Sequence, residues 1–365
     1  MTKDERIQPR PEVQAPPLDQ HGALDIEELA RLGIAPDEII DFSVNSNPWG
    51  PSPAVRQTLE KVVIDRYPDR ESLALRKALA AKFNLERTQI LVGNGTAELL
   101  WLIAMAFIQP NDKVLILSPT FGEYARSVSL MGAQVERIWS TEENNFVFTT
   151  EIICETLARK TPRIAFICNP NNPTGTTLAA ETIREFAIAN PRTLFIVDEA
   201  YIQFVPNLTS CSSPDLPNLL VLRSMTKDYA IAGLRLGYTV GAPDLIEALV
   251  KVRPPWNVNA VAQDVGLATL MDTEHLSQSL FRLQSSKVDL LSGLRSLGLN
   301  PIPSETHYFI VKVGDAAEFR RRLFAYNIQV RDCVSFGLPN YIRISTRKPD
   351  ENAKLLSALK EINKC

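Results

Sequence analysis

Apolar residues collect in short runs that end in turn residues, at Gln89–Val92, Val114–Leu117, Ile164–Cys168, Leu194–Val197 and Leu219–Leu222. Between them lie helix-like stretches at Ala97–Ile108, Phe121–Met131 and Ala180–Asn190, with a further helix expected before Gln89. Buried strands that alternate with helices predict an α/β fold whose mostly parallel sheet is covered on both faces. Leu236–Val240 follows closely on the preceding strand and is expected to join the sheet as an antiparallel member. After Pro254-Pro255 the pattern changes. A long helical region, Ala260–Leu297, precedes strand, helix, strand and helix at His307–Val313, Ala316–Tyr326, Tyr341–Ser345 and Asn352–Ile362, a smaller α+β unit. The expected division is an N-terminal arm at 1–20, the first part of a small domain at 21–64 with a helix at Asp25–Leu32, a large domain at 65–259, and the rest of the small domain at 260–365.

A chain of 365 residues, 45% of them hydrophobic, can bury cores of this size. The net charge of -3 leaves no basic excess to neutralise phosphates, so nucleic acid is not the expected partner. The longest apolar run, Leu99–Ile108, is too short for a bilayer, which needs about 20 residues. The polar, proline-rich start through Gln20 lacks the apolar core of a signal peptide and reads as a mobile or partner-embracing arm. The expectation is therefore a cytoplasmic protein with no membrane contact. Cys154, Cys168, Cys211, Cys333 and Cys365 show no C-x-x-C spacing, so neither a disulfide framework nor a metal site is expected.

Ligands of an open parallel sheet bind beyond the carboxyl ends of its strands, so the residues after each run bear on the chemistry. Gly93-Asn94-Gly95-Thr96-Ala97 follows the first run and opens a helix. Its glycines allow close backbone approach, and free N–H groups at a helix start favour an anion; glycine kept for the sterics of the turn is the alternative. Glu98 replaces the third glycine of G-x-G-x-x-G, which argues against a dinucleotide. Asn169-Pro170-Asn171-Asn172-Pro173-Thr174-Gly175 is either a rigid turn or a firm mount for amide side chains at a strand end. Asp198-Glu199-Ala200-Tyr201 places a carboxylate at the end of a buried strand, where it needs a partner. An arginine is the plainer partner for Asp198 alone; a cationic ring nitrogen is the other. Arg223-Ser224-Met225-Thr226-Lys227 ends the last parallel run, with Arg235 eight residues beyond Lys227. Lys227 is either a solvated charge or a cleft lysine that loses its proton and forms an imine with an aldehyde. Ser224, Thr226 and Arg235 would suit a phosphate beside the Gly95–Ala97 helix start.

In this chain order the motifs resemble those of the aspartate-aminotransferase-like superfamily of pyridoxal-phosphate enzymes, fold type I, over nearly the whole chain beyond the arm. The resemblance implies pyridoxal 5'-phosphate as cofactor and Lys227 as the lysine that binds it. It implies that Asp198 holds the pyridine nitrogen protonated and that Asn172 and Tyr201 bond the ring hydroxyl. Gly95, Thr96, Ala97, Ser224 and Arg235 resemble the phosphate cup, and Phe121 the aromatic residue stacked on the ring. Tyr67, in Arg66-Tyr67-Pro68-Asp69, resembles a tyrosine that reaches a phosphate across a homodimer interface. Arg343 resembles the arginine for the substrate's anionic end.

Within the superfamily, Arg66–Asp69, Asn45–Gly50 and Gly233–Tyr238 look like the histidinol-phosphate aminotransferase branch. His21-Gly22, Asp41–Pro48 and Arg331-Asp332-Cys333 resemble the related threonine-phosphate decarboxylases of the cobalamin pathway. In that branch the matching residues, His21, Gly22, Asn45, Arg331 and Arg343, surround the substrate's phosphate and carboxylate. Against this, His21 could be a solvated arm residue, Arg331 could pair with Asp332, and Ala23 stands where the decarboxylase pattern has glycine. The expectation from sequence is a lyase that decarboxylates a small phosphorylated amino acid. The alternative is an aminotransferase on histidinol phosphate or a related amine. A non-catalytic aminotransferase-like regulator is remote, because Lys227, Asp198 and Asn172 are all present.

Overall fold

The computed structural model describes residues 7–14 and 22–362. Its strands are β1 (Ile40–Asp41), β2 (Ile90–Gly93), β3 (Lys113–Ser118), β4 (Gln134–Trp139), β5 (Ile164–Cys168), β6 (Leu194–Asp198), β7 (Leu219–Ser224), β8 (Gly237–Gly241), β9 (Tyr308–Lys312), β10 (Ile328–Gln329), β11 (Arg331–Asp332) and β12 (Tyr341–Ser345). The large sheet has the order β2-β8-β7-β6-β5-β3-β4. β4, β3, β5, β6 and β7 run parallel, and β8 lies antiparallel between β7 and β2.

Alternate side chains of a strand face opposite sides of a sheet, and here both sides are apolar. Ile164, Phe166 and Cys168 of β5 pack with Leu99, Ile103 and Leu249 from the helices Gly95–Phe107 and Pro243–Val252. Ala165 and Ile167 pack on the other face with Ile153, Leu157, Ile183 and Phe186 from Thr150–Lys160 and Ala180–Ala189. This double cover is the α/β arrangement expected from the buried runs, and the fold is the aspartate-aminotransferase-like one that the resemblance implies.

In the smaller lobe β12 lies between β11 and β9, antiparallel to both. The helices Thr273–Ser296, Ala316–Leu323 and Pro349–Ile362 cover it through Leu290, Phe319, Leu355 and Leu359. β1 pairs with β10, which draws Phe42 into the same core. The long helical region expected from Ala260 is two helices, separated at Asp272, whose side chain caps the second by accepting from His275 N. The first, Ala260–Met271, does not join the small lobe. Its Ala262 and Val265 pack with Leu75, Leu79 and Ile90 beside the large sheet. Gly266 lets this happen, because a Cβ there would meet Leu236 at 2.7 Å. The helix expected at Phe121–Met131 is confined to Glu123–Ser129. No helix among the described residues is long and apolar enough to cross a membrane.

Candidate active site

Strand ends of the large sheet and one edge of the small lobe enclose a cavity of about 530 Å³. Ala97, Phe121, Asn172, Tyr201, Lys227 and Arg235 line it from the large lobe, and Gly22, Asn45, Arg331 and Arg343 from the other side.

Register builds the floor. Gly237 pairs with Gly93 on one side and Ser224 on the other, which gathers the helix start, the hydroxyls and Arg235 into one corner. Gly95 has a φ of +79°, and a Cβ on it would lie 2.7 Å from Arg235 Nη2. The guanidinium therefore rests against bare backbone at a helix N-terminus, a place suited to an anion. Ser224 Oγ and Thr226 Oγ1 stand 2.7 Å apart at the same corner.

The Lys227 carbonyl accepts from Asn47 N at 2.8 Å, so the segment at 44–49 is tied to the lysine's loop. Its ammonium faces the cavity. Desolvation, with repulsion from Arg343 and Arg235, brings it from the ordinary 10.5 down to about 8, while Asp198 pulls the other way. Asp198 is buried and takes its hydrogen bonds from Tyr124 Oη at 2.7 Å and Ala200 N at 3.0 Å. Burial raises its pKa, and those two donors oppose the rise. The arginine that could have claimed it pairs with its neighbour instead: Arg223 Nη1 lies 3.1 Å from Glu199 Oε2. Burial pushes the Tyr201 phenol up to about 12, so it stays a neutral donor.

The opposite wall is cationic. Arg331 and Arg343 sit directly across the β11–β12 pair, both buried. Like charges facing each other on adjacent strands destabilise a sheet, and an anion between them would offset that. Arg343 donates to Asn172 Oδ1 and to the Ser43 carbonyl, which ties the two lobes together. Arg331 Nη2 donates to Ser335 Oγ at 2.6 Å. Asp332, the alternative partner for Arg331, lies 4.0 Å from Arg320 Nε.

Gly22 has no room for a side chain, since a Cβ would stand 2.6 Å from the Ser43 carbonyl oxygen and 3.5 Å from Arg343 Nη2. Gly22→Ala is expected to displace this segment and raise KM about tenfold or more with a smaller change in kcat. That fold-change corresponds to an overpacking cost of about 1–3 kcal/mol. Steady-state kinetics check it, and a fall in kcat alone would count against it.

His21 lies outside the described residues. Tyr67 is not brought to the cavity of its own chain; it is exposed and stacks on Trp256 with ring centroids 4.6 Å apart.

Residues 37–359 match the family model of the class I and II aminotransferases. The chain belongs to this family. Histidinol-phosphate aminotransferase of Moorella thermoacetica is 34% identical to it over 347 residues, 92% of this chain and 88% of the relative. Histidinol-phosphate aminotransferase from Sinorhizobium meliloti, solved in complex with pyridoxal 5'-phosphate, has a TM-score of 0.86 at 25% identity and covers 97% of each chain. L-Threonine-O-3-phosphate decarboxylase from Porphyromonas gingivalis has a TM-score of 0.78 at 28% identity, covering 89% of this chain and 99% of that one.

These likenesses correct the expectation of a decarboxylase. Curated relatives at 34–35% identity that span about nine-tenths of this aminotransferase-family chain are histidinol-phosphate aminotransferases. Ser43, Val44, Asn45 and Arg331, from two of the segments that suggested decarboxylation, line the cationic side of the cavity. Either chemistry on a phosphorylated substrate needs such a wall, so those residues do not separate the two. Ala23, in place of the decarboxylases' glycine, holds a φ of +115°.

Reading the sequence missed Tyr124, Glu123, Arg126 and Ser335. Tyr124 carried a faint signal, three residues after Phe121 at the start of a helix. Ser335 carried none, because only the fold sets it against Arg331.

Proposed function

We propose that this chain transfers the amino group of a small phosphorylated amine, histidinol phosphate or a near relative, to a 2-oxo acid. The observation that carries it is the buried arginine pair, Arg331 opposite Arg343, facing the same cavity as the depressed ammonium of Lys227. The name borne by the relatives supports the same substrate.

The residues fit pyridoxal phosphate. The bare backbone at Gly95 under Arg235 leaves an anion cradle, and Asn45 and Tyr201 bring buried polar side chains to the same cavity. Gly95, Thr96, Ala97, Ser224, Thr226 and Arg235 would hold the phosphate, Phe121 would cover the ring, and Lys227 would anchor the aldehyde. When bound, the cofactor supplies an electron sink for bonds at the substrate's amine carbon. Asp198 would keep a proton on the ring nitrogen, and Asn172 and Tyr201 would hold the ring hydroxyl. Lys227 Nζ, partly uncharged near neutral pH, moves the proton at the substrate's α-carbon. Arg331 and Arg343 fix the phosphate end, which orients that carbon.

Tyr67, Val63, Ile64 and Trp256 form an exposed apolar face. In this reading it meets a second copy in a homodimer, which sedimentation of the purified protein tests. The division into a large lobe around the cofactor and a small lobe carrying the arginines, and a cytoplasmic location, belong to the same proposal.

The test is incubation of the purified holoenzyme with histidinol phosphate and 2-oxoglutarate. Glutamate should accumulate only when both are present; CO₂ release from phosphothreonine without an acceptor would overturn the reading. In the same assay Arg331→Ala should cut the preference for histidinol phosphate over histidinol by roughly 30-fold or more, since a buried charge-assisted contact is lost. An unchanged preference removes Arg331 from the phosphate site.

A further inference from the structure

Among the described residues lining the cavity, the charged groups are Lys227, Arg126, Arg235, Arg331, Arg343 and Glu123, of which only Glu123 is acidic. It begins the helix Glu123–Ser129 directly after Phe121-Gly122. Its side chain is 8% exposed, while that of Arg126, 3.1 Å away, is 28% exposed. The carboxylate is thus the buried member of the pair and its partner the solvated one. An ion pair that served only the helix would gain little from this arrangement, because sinking a carboxylate costs more than a half-solvated arginine returns. A carboxylate has several lone pairs, so one on a cavity wall can accept from a ligand's N–H while it keeps its arginine.

A phosphorylated amine of the proposed kind has three groups on its central carbon. The amine goes to Lys227 and the phosphate to Arg331 and Arg343, so the third arm must meet another part of the wall. We propose that Glu123 reads this third arm, accepting a hydrogen bond from an N–H such as that of an imidazole, and so selects substrates that carry one. This rests on the proposed function and adds a specificity-determining residue to it.

The probes are histidinol phosphate and phenylalaninol phosphate, which share the amine and the phosphate and differ in the N–H groups of the ring. Each is assayed with 2-oxoglutarate on the holoenzyme and on Glu123→Leu and Glu123→Gln. The parent should prefer histidinol phosphate, and Glu123→Leu should lower the ratio of the two kcat/KM values by about 10- to 100-fold, as expected for a hydrogen bond to a charged group. Glu123→Gln, which keeps an acceptor of the same shape, should fall between. If both efficiencies drop in proportion, so that the ratio stands in both variants, Glu123 serves only the helix and the inference is overturned. A parent that transaminates neither compound overturns the proposed function, and this inference with it.

Discussion

Lys227→Ala is expected to lower kcat by on the order of 10⁴-fold or more while leaving the fold in place, because it removes the group that anchors the cofactor and moves the proton. The stability of the apo parent should show a distinct dependence on pH. In the folded apo chain the ammonium is depressed from 10.5 to about 8. Below about pH 8 the group is charged in both folded and unfolded states, and its desolvation costs stability. Between about 8 and 10.5 the unfolded chain holds the proton and the folded chain has released it, so stability rises with pH across that window. Thermal melts of the apo parent should show this rise, and those of Lys227→Ala should lack it. Equal slopes in the two proteins, or residual turnover near the parent's, would reject the assignment. The mutant's melting temperature near neutral pH should match or exceed the parent's, since a poorly solvated charge is gone.

Arg343→Ala should lower kcat/KM for the phosphorylated amine by about 30- to 5000-fold, the equivalent of losing roughly 2–5 kcal/mol from a desolvated charge contact. It should also lower the melting temperature, unlike Lys227→Ala. Arg343 holds Asn172 Oδ1 and the Ser43 carbonyl at once, and its loss leaves both buried acceptors short of a donor. Arg343→Lys should recover only part of the activity, because a single ammonium cannot present two parallel N–H groups to partners on different lobes. Full recovery by lysine would mean that charge alone matters there. Kinetics and melts on the three proteins separate these outcomes.

Legibility followed burial. The runs at Ile164–Cys168 and Leu194–Val197 stood out because strands covered on both faces must be apolar throughout, and each ends where the sheet delivers its ligands. β4 was missed because it is an edge strand, with Glu136 and Arg137 in mid-strand and Trp139 partly exposed. The break at Asp272 was missed because Ala260–Met271 and Thr273–Ser296 are continuous in helical character, and a single capping carboxylate divides them. Phe121 was legible and Tyr124 was not. Yet Tyr124, from the helix after another strand, donates to the Asp198 carboxylate and helps to hold it in place.

What the sequence alone determined is chemistry carried by local order: a lysine, an aspartate, an asparagine and a glycine-rich helix start, each placed just beyond a buried strand. These follow from short-range pattern, because a strand end and the turn after it are contiguous in the chain. The sequence also placed the arginines but could not say what they read. Arg331 and Arg343 face each other only because β11 and β12 pair antiparallel, and Arg343 reaches Asn172 only because the two lobes close on one cavity. Glu123 was one acidic residue among many until the fold made it the only one on a cationic wall among the described residues. Reaction type and substrate depend on which groups surround three arms of one carbon, and that arrangement is set by side chains far apart in the chain. Long-range packing decides it, at distances that no local pattern of residues encodes.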